Sequence, residues 1–555
     1  MCAIPPRRGS QMPADGNKIT LGQLIARNGR EYGDRPAAHD GNRRLTYTEL
    51  WNEADRYALA LDKLGVEKGD KIGIWLPNCV EWAAAWYGNG RVGAVTIPMD
   101  TWYKPNEAEY ILKHSDAKVV IVADKFGSSD YKEMLDKIKP NLPNLKYIIV
   151  KGPKWEGTIS WEELQSQGDL AHRGRLDERE KDVKPDDLAF ILYTSGTTGK
   201  PKGAMLTHHN IVHNAYQVAG QLRAGKEDIF LLPVPFSHCF GCVMGITGAG
   251  NYGASITSLP GFDPIKTMER LQDERATIIY GVPTMFIREL WMTKKWNYDT
   301  TSLRTGIMAG APCPVETMKE VKEIMHCNAL IAYGLTEASP VITMTSLEDP
   351  DVIKAETVGK TLPGIEVKII DEDRKEVPTG EMGELACRGY NVMVGYYKMP
   401  EETSRAIDED RWLYSGDLAT CDEEGYIRIV GRKKEMIIVG GFNVYPREIE
   451  EYLQEHPKIL EVTIVGVTDK DRGEVVAAVV KPEEGKEITG QEVVDYCYGN
   501  IASAKVPRYV FVGADIPVSG RGKVQKFKLK KQLDAEIEEK QIPSIIPSSV
   551  QKRKK

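Results

Sequence analysis

Short apolar runs alternate with amphipathic stretches along most of the chain. Residues 71–76 (Lys-Ile-Gly-Ile-Trp-Leu), 94–97 (Ala-Val-Thr-Ile), 118–122 (Lys-Val-Val-Ile-Val) and 146–150 (Lys-Tyr-Ile-Ile-Val) read as strands. Val80–Val92, Pro105–His114 and Tyr131–Ile138, which lie between them, read as helices. Upstream, 19–60 reads as helical with one short polar break. Further apolar runs start at Leu188, Ile229, Ser255, Ala276, Thr305 and Ala329. Such a β-α-β-α succession implies parallel sheets covered by helices. Around Ile365 the texture changes. An alternating Ile-Glu-Val-Lys-Ile-Ile, a charged turn and then Gly383-Glu-Leu-Ala-Cys-Arg-Gly predict antiparallel strands joined by tight turns. Past residue 431 a small α+β unit follows. Pro446 stands at a first helical position, with Glu448, Glu450 and Glu451 near the positive helix end.

The turn after the Leu188 run reads Tyr193-Thr-Ser-Gly-Thr-Thr-Gly-Lys-Pro-Lys-Gly203, and 204–216 reads as the start of a helix. Its glycines and proline free the backbone from regular geometry. Its hydroxyls and two lysines add donors and positive charge. A strand-to-helix turn of this composition suits a polyphosphate. It is not a Walker A loop, because no Gly-Lys-Ser/Thr ending follows. A bare Gly-Thr-Thr-Gly is more often a surface loop; the lysines shift the balance toward phosphate.

A chain of 555 residues forms more than one domain. Its 41% hydrophobic and 28% charged content fits a soluble globular protein, and a net charge of −7 argues against a general nucleic-acid binder. Only Gln551-Lys-Arg-Lys-Lys555 is strongly basic, and it reads as a solvated tail. Nine scattered cysteines fit a reducing compartment. The first residues lack the apolar core of a signal peptide, no apolar run is long enough to span a bilayer, and the last three residues are not Ser-Lys-Leu. A cytoplasmic enzyme without a transmembrane segment is the expectation.

Seven more motifs stand along the chain: Pro235-Phe-Ser-His238, Ala309-Gly-Ala-Pro312, Tyr333-Gly-Leu-Thr-Glu337, Trp412-Leu-Tyr-Ser-Gly-Asp417, Gly431-Arg-Lys-Lys434, Gly440-Gly-Phe-Asn-Val-Tyr-Pro446 and Pro517-Val-Ser-Gly-Arg-Gly-Lys523. With the phosphate-type turn, they resemble the adenylate-forming superfamily of acyl-CoA synthetases, stand-alone adenylation domains and firefly-type luciferases. The resemblance covers nearly the whole chain, with the motifs in the expected order.

It implies that Thr194, Ser195, Gly196, Thr197, Thr198, Gly199 and Lys202 hold the β- and γ-phosphates of ATP. Gly310, Ala311 and Pro312 form an adenine-binding turn, Tyr333 stacks on the base beside Gly334, and Thr336 meets the α-phosphate. Glu337, together with Thr194, holds Mg²⁺, an ion that favours one or two carboxylates plus phosphate oxygens. His238 lies beside the acyl carboxylate. Asp417 accepts both ribose hydroxyls, Arg432 reaches the ribose, and Lys434 is the hinge. Gly440, Gly441 and Phe442 line the tunnel for CoA, and Lys523 bridges the carboxylate and α-phosphate. Two departures are mild: Ser415 replaces the usual Thr, and Arg521 stands where Ser or Thr is commoner. Taken singly, His238, Glu337 and Lys523 each read equally well as packed or solvated side chains.

The fold class the resemblance implies is α/β. A large N-terminal domain (1–432) of helix-covered, mostly parallel sheets plus a small barrel-like β region precedes a small mobile α+β domain (433–540) and a basic tail (541–555). The activity implied is an ATP-dependent, AMP-forming acyl-CoA synthetase whose substrates are a small-molecule carboxylic acid, ATP and CoA, with no prosthetic group. Phe240, Gly241, Gly245, Gly281, Val282 and Ala338 are expected around the acyl group. The small residues of these segments (Gly241, Gly245, Gly248, Gly281, Gly334, Ala338 and Ser339), with no bulky Trp evident, favour a medium- or long-chain fatty acid, or a cyclic or aromatic acid, over acetate. Carrier-protein loading, a luciferase-like oxygenase and a non-catalytic nucleotide sensor share parts of the pattern. Next to His238, Cys239-Phe-Gly-Cys242 is a C-x-x-C, readable as a redox dithiol or half a zinc site, or as small apolar residues in a pocket wall.

Overall fold

The computed structural model describes residues 18–194, 200–310, 315–440, 442–469, 472–518 and 524–551. The chain has an α/β fold with mixed sheets that packs as two compact units. One comprises residues up to Val367 together with Cys387–Leu413; the other comprises Lys368–Ala386 and Tyr414 onward.

The first unit holds two large sheets. In the eight-stranded sheet the order is Gly395–Tyr396, Lys202–Thr207, Leu188–Thr194, Val95–Pro98, Lys71–Trp75, Ala117–Ala123, Tyr147–Lys151, Ile159–Ser160. Its central strands pair in parallel. Ile72, Ile74, Val119, Val120 and Ile121 are fully buried, as strands covered on both faces require. The nine-stranded sheet runs Lys360–Thr361, Val341–Met344, Asn328–Gly334, Thr305–Ala309, Ile278–Gly281, Ile229–Leu232, Ser255–Ser258, Pro36–His39, Arg44–Thr46. Its last two strands fall in 19–60, the stretch expected to be helical with one short polar break. Pro36–His39 finds its partner more than two hundred residues away, pairing Ala38 with Ile256.

A second difference lies at the glycine-rich turn. Lys202–Thr207 is a strand, antiparallel to Leu188–Thr194, with Thr194 opposite Lys202 and Tyr193 opposite Gly203. The turn therefore closes a hairpin. A Cβ on Gly203 would lie 2.8 Å from Ile191 Cγ2, so glycine keeps the two strands close. The helix begins only at His208, where the Thr207 side chain accepts the Asn210 N–H at 3.1 Å and the Asn210 side chain returns the contact.

A four-stranded sheet in the order Ile365–Ile370, Gly383–Gly389, Leu413–Cys421, Ile427–Arg432 follows. The second unit has a five-stranded sheet. It orders Phe442–Val444, Ile437–Val439, Gly473–Pro482 and Ile459–Asp469, with Tyr509–Val512 pairing Gly473–Pro482 in parallel. Helix Pro446–Gln454 lays Ile449 and Leu453 on its core, and helix Lys526–Lys540 adds Leu529 and Leu533. Burial of each such side chain contributes about 1.5–3 kcal/mol.

Helix Pro283–Trp296 of the first unit carries Glu289, whose carboxyl is fully buried with no hydrogen-bond partner on either oxygen. Burial pushes its pKa up to about 8. An unfolded glutamate titrates near 4.3, so unfolding releases a proton between the two values. This group's contribution is thus intact below the unfolded pKa and lost as pH rises to about 8. Glu289→Gln should remove the slope, raising unfolding free energy at pH 8 by on the order of 4 kcal/mol at most and leaving pH 4 unchanged. Denaturant titrations of both proteins at the two pH values check this; a gain that does not vary with pH contradicts it.

Candidate active site

Glu337 sits in the single turn Thr336–Ala338 at the end of strand Asn328–Gly334. The chain enters through Gly334, where a Cβ would lie 1.9 Å from the Pro340 carbonyl oxygen, so no other residue fits. The Glu337 backbone carbonyl accepts the Met393 N–H at 2.9 Å. Its buried carboxylate is oriented by two hydroxyls that donate to Oε1, Tyr396 Oη at 2.9 Å and Thr194 Oγ1 at 3.3 Å. Burial, and then the neighbouring Glu337 charge, push the Tyr396 phenol well above its usual pKa, so it stays a donor. The donor set of carboxylate plus hydroxyl is hard and all-oxygen, the chemistry Mg²⁺ selects. Among the described residues no group of three His, Cys, Asp or Glu side chains makes a protein cage for a metal.

Thr194 and Lys202 flank the phosphate-type turn as cross-strand partners. Lys202 forms an ion pair with Glu402 and lies 5.2 Å from the Tyr396 ring centre. Tyr110 Oη donates to the Pro201 carbonyl at 2.9 Å and pins the end of the turn. Ser195, Gly196, Thr197, Thr198 and Gly199 lie outside the described residues, as do Ala311 and Pro312. Gly310, the last described residue before that second turn, has φ +85°, a conformation that favours glycine. Tyr333 is half-buried at the end of its strand, opposite Thr343.

His238 precedes the helical segment Phe240–Thr247, and its Nδ1 accepts the Phe240 N–H at 3.1 Å. In the neutral ring the proton therefore rests on Nε2. Thr336 is buried 3.9 Å from the sulfur of Cys239. The Cys242 thiol donates to the His238 carbonyl at 3.3 Å, and burial pushes its pKa far above the usual range. A buried protonated thiol is a packing group; redox and metal chemistry need the thiolate.

Around the expected acyl group the small residues have a different use. A Cβ on Gly241 would lie 2.2 Å from the Pro235 carbonyl oxygen, and one on Gly245 2.7 Å from Leu232 Cδ1. A Cβ on Gly281 would lie 3.1 Å from Phe286 Cε2. These three glycines serve close packing, so their smallness does not itself open a pocket. Phe240 stacks on Tyr280 at 5.3 Å, Ala338 is fully buried, and Val282 is half-buried as the N-cap of helix Pro283–Trp296.

In the second unit, Asp417 and Arg432 are direct cross-strand partners, with Arg432 Nε 3.2 Å from Asp417 Oδ1. The buried Asp417 follows Ser415, whose hydroxyl accepts the Asp417 N–H at 3.1 Å. Lys434 is exposed in the turn Lys433–Glu435. Gly440, at φ +58°, ends strand Ile437–Val439, and Phe442 opens the paired strand 69% exposed. Gly441 and Lys523 lie outside the described residues. Val518 and Val524 form an antiparallel bridge. Tyr396, on strand Gly395–Tyr396, and Glu402, on the following helix Pro400–Ala406, are candidate site residues that motif reading missed, because that strand joins the phosphate-turn hairpin across nearly two hundred residues.

Residues 25–397 match the AMP-binding enzyme family, and 448–523 match the AMP-binding enzyme C-terminal domain. The chain belongs to this family of adenylate-forming enzymes. It is 42% identical over 531 residues to YngI of Bacillus subtilis (strain 168), named as an acyl-CoA synthetase, spanning 92% of this chain and 97% of that one. It is 37% identical over 541 residues to the mitochondrial medium-chain acyl-CoA ligase ACSF2 of Danio rerio, covering 93% of this chain and 89% of the relative. The solved structure of ATP-bound MatB from Rhodopseudomonas palustris superposes with a TM-score of 0.82 at 30% identity, over 93% of this chain and 99% of that one.

Proposed function

We propose that this protein is an AMP-forming acyl-CoA ligase that converts a carboxylic acid, ATP and CoA to acyl-CoA, AMP and pyrophosphate, with a medium-chain fatty acid as substrate. The observation that carries the reading is the meeting of Glu337 with Thr194 of the phosphate-type hairpin, 143 residues away in sequence. The names of the relatives support the thioester product, and the ligase of Danio rerio supports the chain length.

In the first half-reaction a carboxylate oxygen attacks the α-phosphorus of ATP, and the bond to the β-phosphate oxygen breaks in line. The protein's work is placement and charge neutralisation. Thr194, Lys202 and the turn between them hold the leaving pyrophosphate; Thr336 meets the α-phosphate; Asp417 and Arg432 fix the ribose. Glu337 and Thr194 would hold Mg²⁺, which when bound supplies positive charge against the phosphates. His238 stands by the acyl carboxylate, and Lys523 bridges it to the α-phosphate.

In the second half-reaction the residues after Lys434 rotate about that hinge. Lys523 leaves, and the loop of Gly440, Gly441 and Phe442 arrives to line the path of the CoA thiol. The sulfur attacks the acyl carbon, the thiol proton passes to solvent, and AMP departs. An exposed Phe442 two residues after Gly440, whose φ is positive, suits a loop whose partner is a ligand. Acyl-CoA formation measured across acids from acetate to long chains, and with aromatic acids, tests the substrate. Highest kcat/KM at medium chain length is expected; a maximum at acetate or at an aromatic acid contradicts it.

A further inference from the structure

Lys202, which opens the second strand of the phosphate-type hairpin, has its ammonium group engaged from one short segment of chain. The Glu402 carboxylate pairs with it, and the Tyr396 ring lies 5.2 Å away. The pair is largely shielded, with side-chain exposures of 13% and 22%. A shielded carboxylate on a lysine is the nearest protein equivalent of a phosphate oxygen, and both cannot hold the same ammonium equally well. Glu402 has a second cation: its Oε1 accepts from Arg405 Nη1 at 2.7 Å. Release of Lys202 therefore does not strand a half-buried charge, the outcome that makes breaking most such pairs costly.

We propose that Glu402 is a resting counter-ion for Lys202, displaced when the ATP polyphosphate arrives, so that it sets how strongly the enzyme prefers ATP over AMP. In the empty site Glu402 holds the lysine in its place on the hairpin. With ATP bound, Lys202 turns to the phosphates and Glu402 falls back on Arg405. AMP lacks the β- and γ-phosphates and has no claim on Lys202, so it binds with the pair intact. Glu402 competes with substrate, and its loss should tighten ATP selectively. The inference rests on Lys202 as a phosphate ligand.

Calorimetric titration of the full-length protein with ATP and, separately, with AMP tests it in three variants. Glu402→Gln is expected to tighten ATP by ~5-fold, the scale of one partly exposed ion pair, and to leave AMP unchanged. Glu402→Asp, which retracts the carboxylate by one carbon, should fall between the two. Lys202→Gln should weaken ATP and leave AMP unchanged. ATP binding unaltered in Lys202→Gln would remove the phosphate role of Lys202 and the inference with it. Weakened ATP in Lys202→Gln, with unaltered or weakened ATP in both Glu402 variants, overturns the counter-ion alone and makes the pair a structural clamp.

Discussion

Glu337→Gln is expected to lower acid-dependent adenylation by on the order of 10²–10³-fold, the usual cost of losing a preorganised charge stabiliser. The substitution keeps shape and an acceptor oxygen for the Tyr396 and Thr194 hydroxyls, which donate at 2.9 and 3.3 Å. It removes the negative charge that a hard cation requires. Thioester formation from supplied acyl-adenylate should stay within a few-fold of the parent, because pyrophosphate has already left at that stage. Unaltered melting would show the effect to be chemical. Adenylation at the parental rate would remove Glu337 from the metal and phosphate machinery.

The second large effect concerns Lys523→Ala. Its ammonium is assigned to the α-phosphate and the attacking carboxylate, where charge builds during the first half-reaction. Loss of a similar magnitude, on the order of 10²–10³-fold, is expected in adenylation, with conversion of supplied acyl-adenylate to thioester preserved. The two variants are thus expected to share a kinetic signature. Equal loss in both half-reactions would mean that Lys523 does not leave between them. It would remove the need for rotation about Lys434.

Much of the candidate site was legible in the sequence because it resides in short, contiguous motifs. The turn at 193–203, Tyr333–Glu337 and the Asp417 segment each announce themselves locally. Register was not legible. Nothing in the string states that Thr194 faces Lys202 or that Asp417 faces Arg432; hairpin pairing decides both. Within strand Lys202–Thr207, residues 204–207 read as helix because the chain runs on into one. The stop signal was the Thr207 cap with Asn210 three residues on. Tyr396 and Glu402 stayed hidden for a stronger reason. They are brought in by a two-residue strand that pairs with Ala204 and Met205 and by the helix that follows it, and no local pattern encodes a contact at that separation. The glycines at 241 and 245 illustrate the converse: their smallness was visible, but only the packed structure shows Pro235 and Leu232 filling the space.

The most direct test of adenylate formation is isotope exchange between pyrophosphate and ATP, measured with Mg²⁺ and a medium-chain fatty acid and without CoA. Exchange that requires the acid and proceeds before any thiol is added is the expected result. Exchange that appears only with CoA present, or none with any carboxylic acid, would contradict an acyl-adenylate intermediate.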